Sequence, residues 1–172
     1  MTSTSMNLLR RLGATACHAG TEAATPHEPW PAPLFRWGQS LALLAARVYV
    51  ARVFFLSGLT KLRDWDTTLA LFQEEYQVPL LPPVLAAYAG TAGELLLPPL
   101  LLLGLATRFA AAGLSVVNVM AVLSLAEIAP AALAGHEWWG SLLVAVLLWG
   151  AGRISLDQAL QPRWQVCLSR SA

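Results

Sequence analysis

Apolar residues run almost unbroken through four stretches of the chain, roughly 40–62, 82–105, 107–129 and 136–152. Each comes near the roughly 20 residues that a helix needs to cross a bilayer. Only Leu105-Ala106-Thr107-Arg108 separates the second stretch from the third, which predicts a tight antiparallel turn. Pro130 is expected to end the third helix. Trp138, Trp139 and Trp149 edge the fourth as an interfacial aromatic belt would, with His136 and Glu137 at its entrance. The longest linker, 63–81, has a pattern of its own. Asp64 or Asp66 can cap a short helix with Leu69, Phe72 and Tyr76 on one face and Glu74 and Glu75 on the wetter side. Pro79, Pro82 and Pro83 then stop it. The pattern predicts an all-α fold: a four-helix transmembrane bundle with a short amphipathic helix on the bilayer surface between spans 1 and 2. Near the end, Ser155-Leu156-Asp157-Gln158 has the spacing of a helix cap.

Composition supports a membrane protein. The 172 residues are 56% hydrophobic and 12% charged, with a mean hydropathy of +0.56. Soluble domains carry about 25% charged residues. A net charge of +1 gives no reason to expect nucleic acid. The expected partners are the lipid bilayer and other protein subunits, or further copies of the chain. Residues 1–38 read as a disordered N-terminal tail, 39–160 as the membrane domain and 161–172 as a short C-terminal tail. No apolar run follows Arg10-Arg11, so a cleaved signal peptide is not expected. Cys17 and Cys167 belong to no CxxC or Cys/His set, and His18 and His27 carry no pattern. With four spans, Arg36, Arg108, Arg153, Arg163 and Arg170 share one side, against Lys61 and Arg63 on the other. The positive-inside rule then puts both termini in the cytoplasm of a bacterial inner-membrane, multi-pass protein.

A few charges change the picture. Glu94 is the only charged residue between Leu80 and Leu105. A charged side chain at a bilayer centre costs about 2.5–3.5 kcal/mol on insertion scales, so it calls for a partner. Arg47 and Arg52 sit in the first apolar run and Asn118 in the third. At about 1.5 Å per residue, Arg52 and Glu94 are each expected about 18 Å into oppositely running spans. We assign Arg47 to Glu94, and Arg52 to Asn118, a neighbouring subunit or a bound anion; the reverse assignment fits nearly as well. Arg47 and Glu94 are also the candidates for any reactive role, against the plain alternative of an ion pair that only pins helix register. A second cluster, Lys61, Asp64, Asp66, Glu127, His136 and Glu137, is expected at the outer interface. A histidine among carboxylates can handle protons. No HxxxH or cysteine spacing supports a metal site, and solvated helix ends explain this cluster equally well. The chain has no GxGxxG, P-loop, GxSxG, HExxH or CxxCH.

Three motifs in order carry a resemblance. Arg47 with Phe55-Leu56-Ser57-Gly58-Leu59-Thr60-Lys61 resembles the first helix of the DoxX family. Gly93-Glu94-Leu95 through Leu103-Gly104-Leu105-Ala106-Thr107-Arg108 resembles its second. Gly150-Ala151-Gly152-Arg153-Ile154-Ser155-Leu156-Asp157 resembles its closing segment. The resemblance spans about residues 40–160 and implies a small four-helix membrane protein. It also implies a part in redox, sulfur- or metal-handling assemblies, since the family takes its name from subunits of a thiosulfate:quinone oxidoreductase. Quinone is the implied cofactor. Residues 58–66 and 74–79 resemble a branch encoded beside copper-binding or modified-peptide genes. Arg47, Lys61, Glu94 and Arg108 fall on family positions and Arg52 does not. Three readings follow: a membrane subunit that anchors partners or gives quinone access, a quinone-reactive oxidoreductase subunit with its own site, and a small oligomeric transporter. Pro98-Pro99 is expected to kink the second span just beyond Glu94.

Overall fold

The computed structural model describes residues 32–160. They form α1 (Ala32–Arg63), α2 (Trp65–Glu74), α3 (Pro83–Leu103), α4 (Thr107–Leu123) and α5 (Pro130–Trp149), with a last helical stretch over 156–160. No strand occurs among the described residues. α1, α3 and α5 are long and apolar enough to cross a membrane, and α4 is a shorter apolar helix of 17 residues, about 25 Å long. This is the expected all-α membrane bundle with a short helix between its first two spans.

Several boundaries differ from the sequence pattern. α1 begins at Ala32, so residues 32–38 are helical rather than part of a disordered tail. The proposed tails over 1–31 and 161–172, with Cys17, Cys167, His18, His27, Arg163 and Arg170, lie outside the described residues. Pro130 starts α5 instead of ending α4. Proline suits the first helical position, where its missing N–H has no partner to lose and its fixed φ is already helical. α4 accordingly stops at Leu123 and α5 at Trp149. His136 and Glu137 therefore lie in the second turn of α5, not at a span entrance. α3 continues through Pro98-Pro99 to Leu103 as one helix, although these prolines remove the N–H partners of the Glu94 and Leu95 carbonyls.

The packing is inverted relative to a soluble domain. Arg47, Thr91, Glu94 and Asn118 are buried, while Val48, Leu96, Phe109, Val116, Val119, Val144 and Leu148 face outward. Apolar surface on this scale is stable against lipid, not water. α4 packs against α3 on one side and α5 on the other. Val50, Phe54, Leu101, Leu114, Leu143 and Val146 fill the core between the helices. α2 begins at Asp64, whose carboxylate accepts from the Thr67 N–H at 3.1 Å and its hydroxyl at 2.7 Å. These bonds hold the exposed Asp64 carboxyl below its ordinary range. Its apolar face is turned onto α3, where Phe72 packs with Trp65, Leu69, Tyr76 and Val78 over Ala86 and Ala87. Burying a phenylalanine stabilises by about 1.5–3 kcal/mol, so α2 is anchored to the bundle end and not only to a lipid surface.

Close contacts fix the helix register. A side chain on Gly58 of α1 would run into Leu95, 2.9 Å away, and Glu94 Cβ, 3.1 Å away, on α3. Eleven residues earlier, Arg47 reaches the bundle's other end, against Gly104 and Ser155. Here two motifs make one joint. Gly104 (φ 69°) and Ala106 (φ 46°) turn the chain in left-handed conformations between α3 and α4. Asp157 then caps α4 from 51 residues away, accepting from the Ala106 N–H at 2.9 Å, the Thr107 N–H at 3.0 Å and the Thr107 hydroxyl at 2.8 Å. Its own N–H donates to the Gly104 carbonyl at 2.8 Å. Burial pushes the Asp157 carboxyl up, but the bonds from Thr107 and Ala106 and the charge of Arg47 outweigh it and hold the group below the ordinary range.

Candidate functional site

The polar residues expected in two clusters are sorted differently by the fold. Glu94, eleven residues into α3, pairs with Lys61 and not with Arg47: Lys61 Nζ lies 2.5 Å from Glu94 Oε1. Gly58 makes this possible. It lets α1 approach α3 closely, and Lys61 follows three residues later on the same helix face. Arg47 lies at the level of Gly104, ten residues along α3 from Glu94, or about 15 Å, beyond the reach of its side chain.

Arg47 is fully buried, and its Nη2 donates to the Ile154 carbonyl at 2.5 Å. Its Nε and Nη1 have no partner among the described residues. Arg52 falls between these two levels on the exposed side of α1 and does not meet Asn118. Counting depth from residue 40 levels the start of the first apolar run with the end of the second, but it is Arg47 that lies level with Gly104, so the charges of α1 sit nearer that end of the bundle than the count places them.

Asn118 instead joins His136. Its Nδ2 donates to the His136 carbonyl at 2.9 Å, and its Oδ1 lies 2.8 Å from His136 Nδ1. Glu94, Lys61 and His136 line one cavity of about 420 Å³. Tyr76, from the segment after α2, lines it too, and Phe72, Val78, Leu81, Val116, Val117 and Met120 supply apolar walls. Burial, followed by the charges of Glu75 and Glu94, raises the Tyr76 phenol above its ordinary range, so it stays a neutral O–H donor. Glu94 Oε2 and Thr91 Oγ1, one turn apart on α3, are buried with no hydrogen-bond partner among the described residues. The rest of the outer cluster does not converge: Asp64 caps α2, and Asp66, Glu127 and Glu137 are exposed. No group of three or more His, Cys, Asp or Glu among the described residues is placed to share a metal ion.

The sequence pattern set Lys61 and His136 apart from Glu94 and Asn118, and passed over Tyr76 except as an apolar face. Gly58 followed three residues later by Lys61 was the available signal for the first pairing. Nothing local announced the second, because Pro130 hid the true start of α5.

An apolar shell around a layer of paired polar groups, under one short capping helix, defines a small helical integral membrane protein. The DoxX family model matches residues 42–127, half of the chain, and the protein belongs to the DoxX family. No curated protein and no solved structure matches the chain. Lys61, Glu94 and Asn118 fall within the matched residues, whereas His136 and Asp157 lie beyond them.

Proposed function

We propose that this protein is the membrane subunit of a redox complex and that its cavity gives a quinone-type ring access to the assembly. The observation that carries the reading is the convergence of the Lys61–Glu94 pair and of His136, itself held by Asn118, on one apolar-walled cavity. A quinone brings a flat apolar ring and two opposed oxygens. The walls suit the ring, while Lys61 and Tyr76 supply donors for an oxygen. When bound, such a ring would supply two-electron, two-proton chemistry. The chain's own groups bind it, orient it and hold protons near it. The absence of nucleotide, flavin or haem motifs from the sequence supports placing the electron source on a partner protein. The orientation that fits is termini in the cytoplasm and cavity toward the outer face of a bacterial inner membrane. Lys61, turned inward to Glu94, adds little positive charge to the outer surface, which strengthens that assignment.

The transport reading has less support. Leu101, Leu114, Leu143, Val50 and Val146 are packed to 1% exposure or less between the cavity and the opposite end of the bundle.

The test is ligand-dependent melting of the purified protein in detergent. Duroquinone, a small quinone without thiol-reactive ring positions, is expected to raise Tm by a few degrees at a concentration about 100-fold above its Kd. Lys61→Met is expected to remove the shift. No shift in the wild-type protein at saturation would overturn the reading. Co-purification of a redox partner in mild detergent tests the complex.

A further inference from the structure

The hydrogen bonds around His136 determine which ring nitrogen carries its proton. The His136 carbonyl can only accept, so it must face the amide nitrogen of Asn118, as the 2.9 Å contact shows. That leaves Asn118 Oδ1, also a pure acceptor, facing His136 Nδ1 at 2.8 Å. Nδ1 must therefore be the protonated nitrogen. In the neutral ring Nε2 then carries the lone pair, and no residue among those described bonds to it. The cavity thus presents an open acceptor on α5. Lys61 Nζ, engaged with Glu94 through one of its three N–H groups, supplies a donor from α1 to the same cavity.

We infer that the cavity selects the reduced, hydroxyl-bearing form of its ring ligand, with one O–H donated to His136 Nε2 and the opposite oxygen accepting from Lys61 Nζ. This rests on the quinone-access reading above. An oxidised dione satisfies Lys61 but brings no hydrogen for His136, leaving the imidazole lone pair facing a carbonyl oxygen. A diol satisfies both ends. Sites built to bond a ligand hydroxyl discriminate strongly against analogues that lack it, because their own polar group is left unpaired. His136, not Glu94, is thereby the group positioned to receive a ligand proton, since Glu94 Oε1 is taken by Lys61 and Oε2 is buried away from solvent.

The experiment uses the full chain in detergent under argon with three matched probes: duroquinol, duroquinone and the dimethyl ether of duroquinol. Kd values are read from tryptophan fluorescence, with Trp139 as a nearby reporter whose ring lies 5.0 Å from that of His136. Duroquinol is expected to bind at least about tenfold more tightly than either of the other two. His136→Phe is expected to bring duroquinol down to the level of its dimethyl ether while leaving duroquinone within about twofold, since its Lys61 donor is intact. Duroquinol binding no better than its ether, with duroquinone still bound, would overturn the selectivity and leave the access reading standing. Failure of all three to bind would remove both. If His136→Phe does not fold, the wild-type comparison of diol with ether decides alone.

Discussion

Lys61 and Glu94 carry the account at the level of single residues, and their burial is unequal. The side chain of Glu94 is 6% exposed and that of Lys61 24%. Removing the lysine leaves a buried carboxylate with no counter-charge, whereas removing the glutamate leaves a lysine that can extend toward the bundle end. We expect Lys61→Met to destabilise by about 3 kcal/mol and Glu94→Leu by less, with the double variant recovering most of the loss. Arg47→Leu is expected to rescue neither change. Thermal unfolding of the four proteins in detergent checks this cycle, and rescue by Arg47→Leu would restore the pairing read from sequence. That a buried carboxylate needed a cation was legible from the apolar run around Glu94. Which cation was not, because α1 carries five basic residues, Arg36, Arg47, Arg52, Lys61 and Arg63, and the packing at Gly58 selects among them.

Among the elements, the joint between the α3–α4 turn and the terminal segment shows how two distant motifs act as one. Asp157 supplies acceptors to three donors at the start of α4. Asp157→Ala is expected to destabilise by about 1–2 kcal/mol, the usual loss for a helix cap. The pH dependence has a definite sign. Because the folded protein holds this carboxyl below its ordinary value of 3.8, its contribution is complete above that value and disappears as pH falls through the lower folded value. Acid melting curves should therefore be flatter for Asp157→Asn than for the wild type. Equal slopes would show that another carboxylate sets the acid limit. Helix number and type were legible from hydropathy alone. The α4–α5 boundary was not: a proline is as good a first residue as a stop signal, and only the turn over 124–129 decides which.

Seen whole, the protein has two unlike ends. Arg36, Arg47, Arg108 and Arg153 gather at one, with Arg108 Nη2 placed 3.4 Å from the Leu148 carbonyl at the end of α5. The other holds α2 and the cavity beneath it. If the arginine-rich end is cytoplasmic, native Cys17 and Cys167 are expected to resist a membrane-impermeant maleimide in intact cells and to react after lysis. Labelling of intact cells would reverse the orientation. The membrane class followed directly from composition. The cavity did not, because its lining comes from all five helices and the segment after α2, and no stretch of sequence holds more than a few of its residues.

The claim that this cavity receives a ring ligand is tested most directly by mapping a photoactivatable azido-quinone crosslinked to the membrane-embedded protein. The account predicts labelled peptides from α2 around Phe72 and Tyr76 and from α4 between Val116 and Ala121, reduced by excess duroquinol. Labelling confined to the opposite end, around Arg36, Arg108 and Trp149, would contradict it.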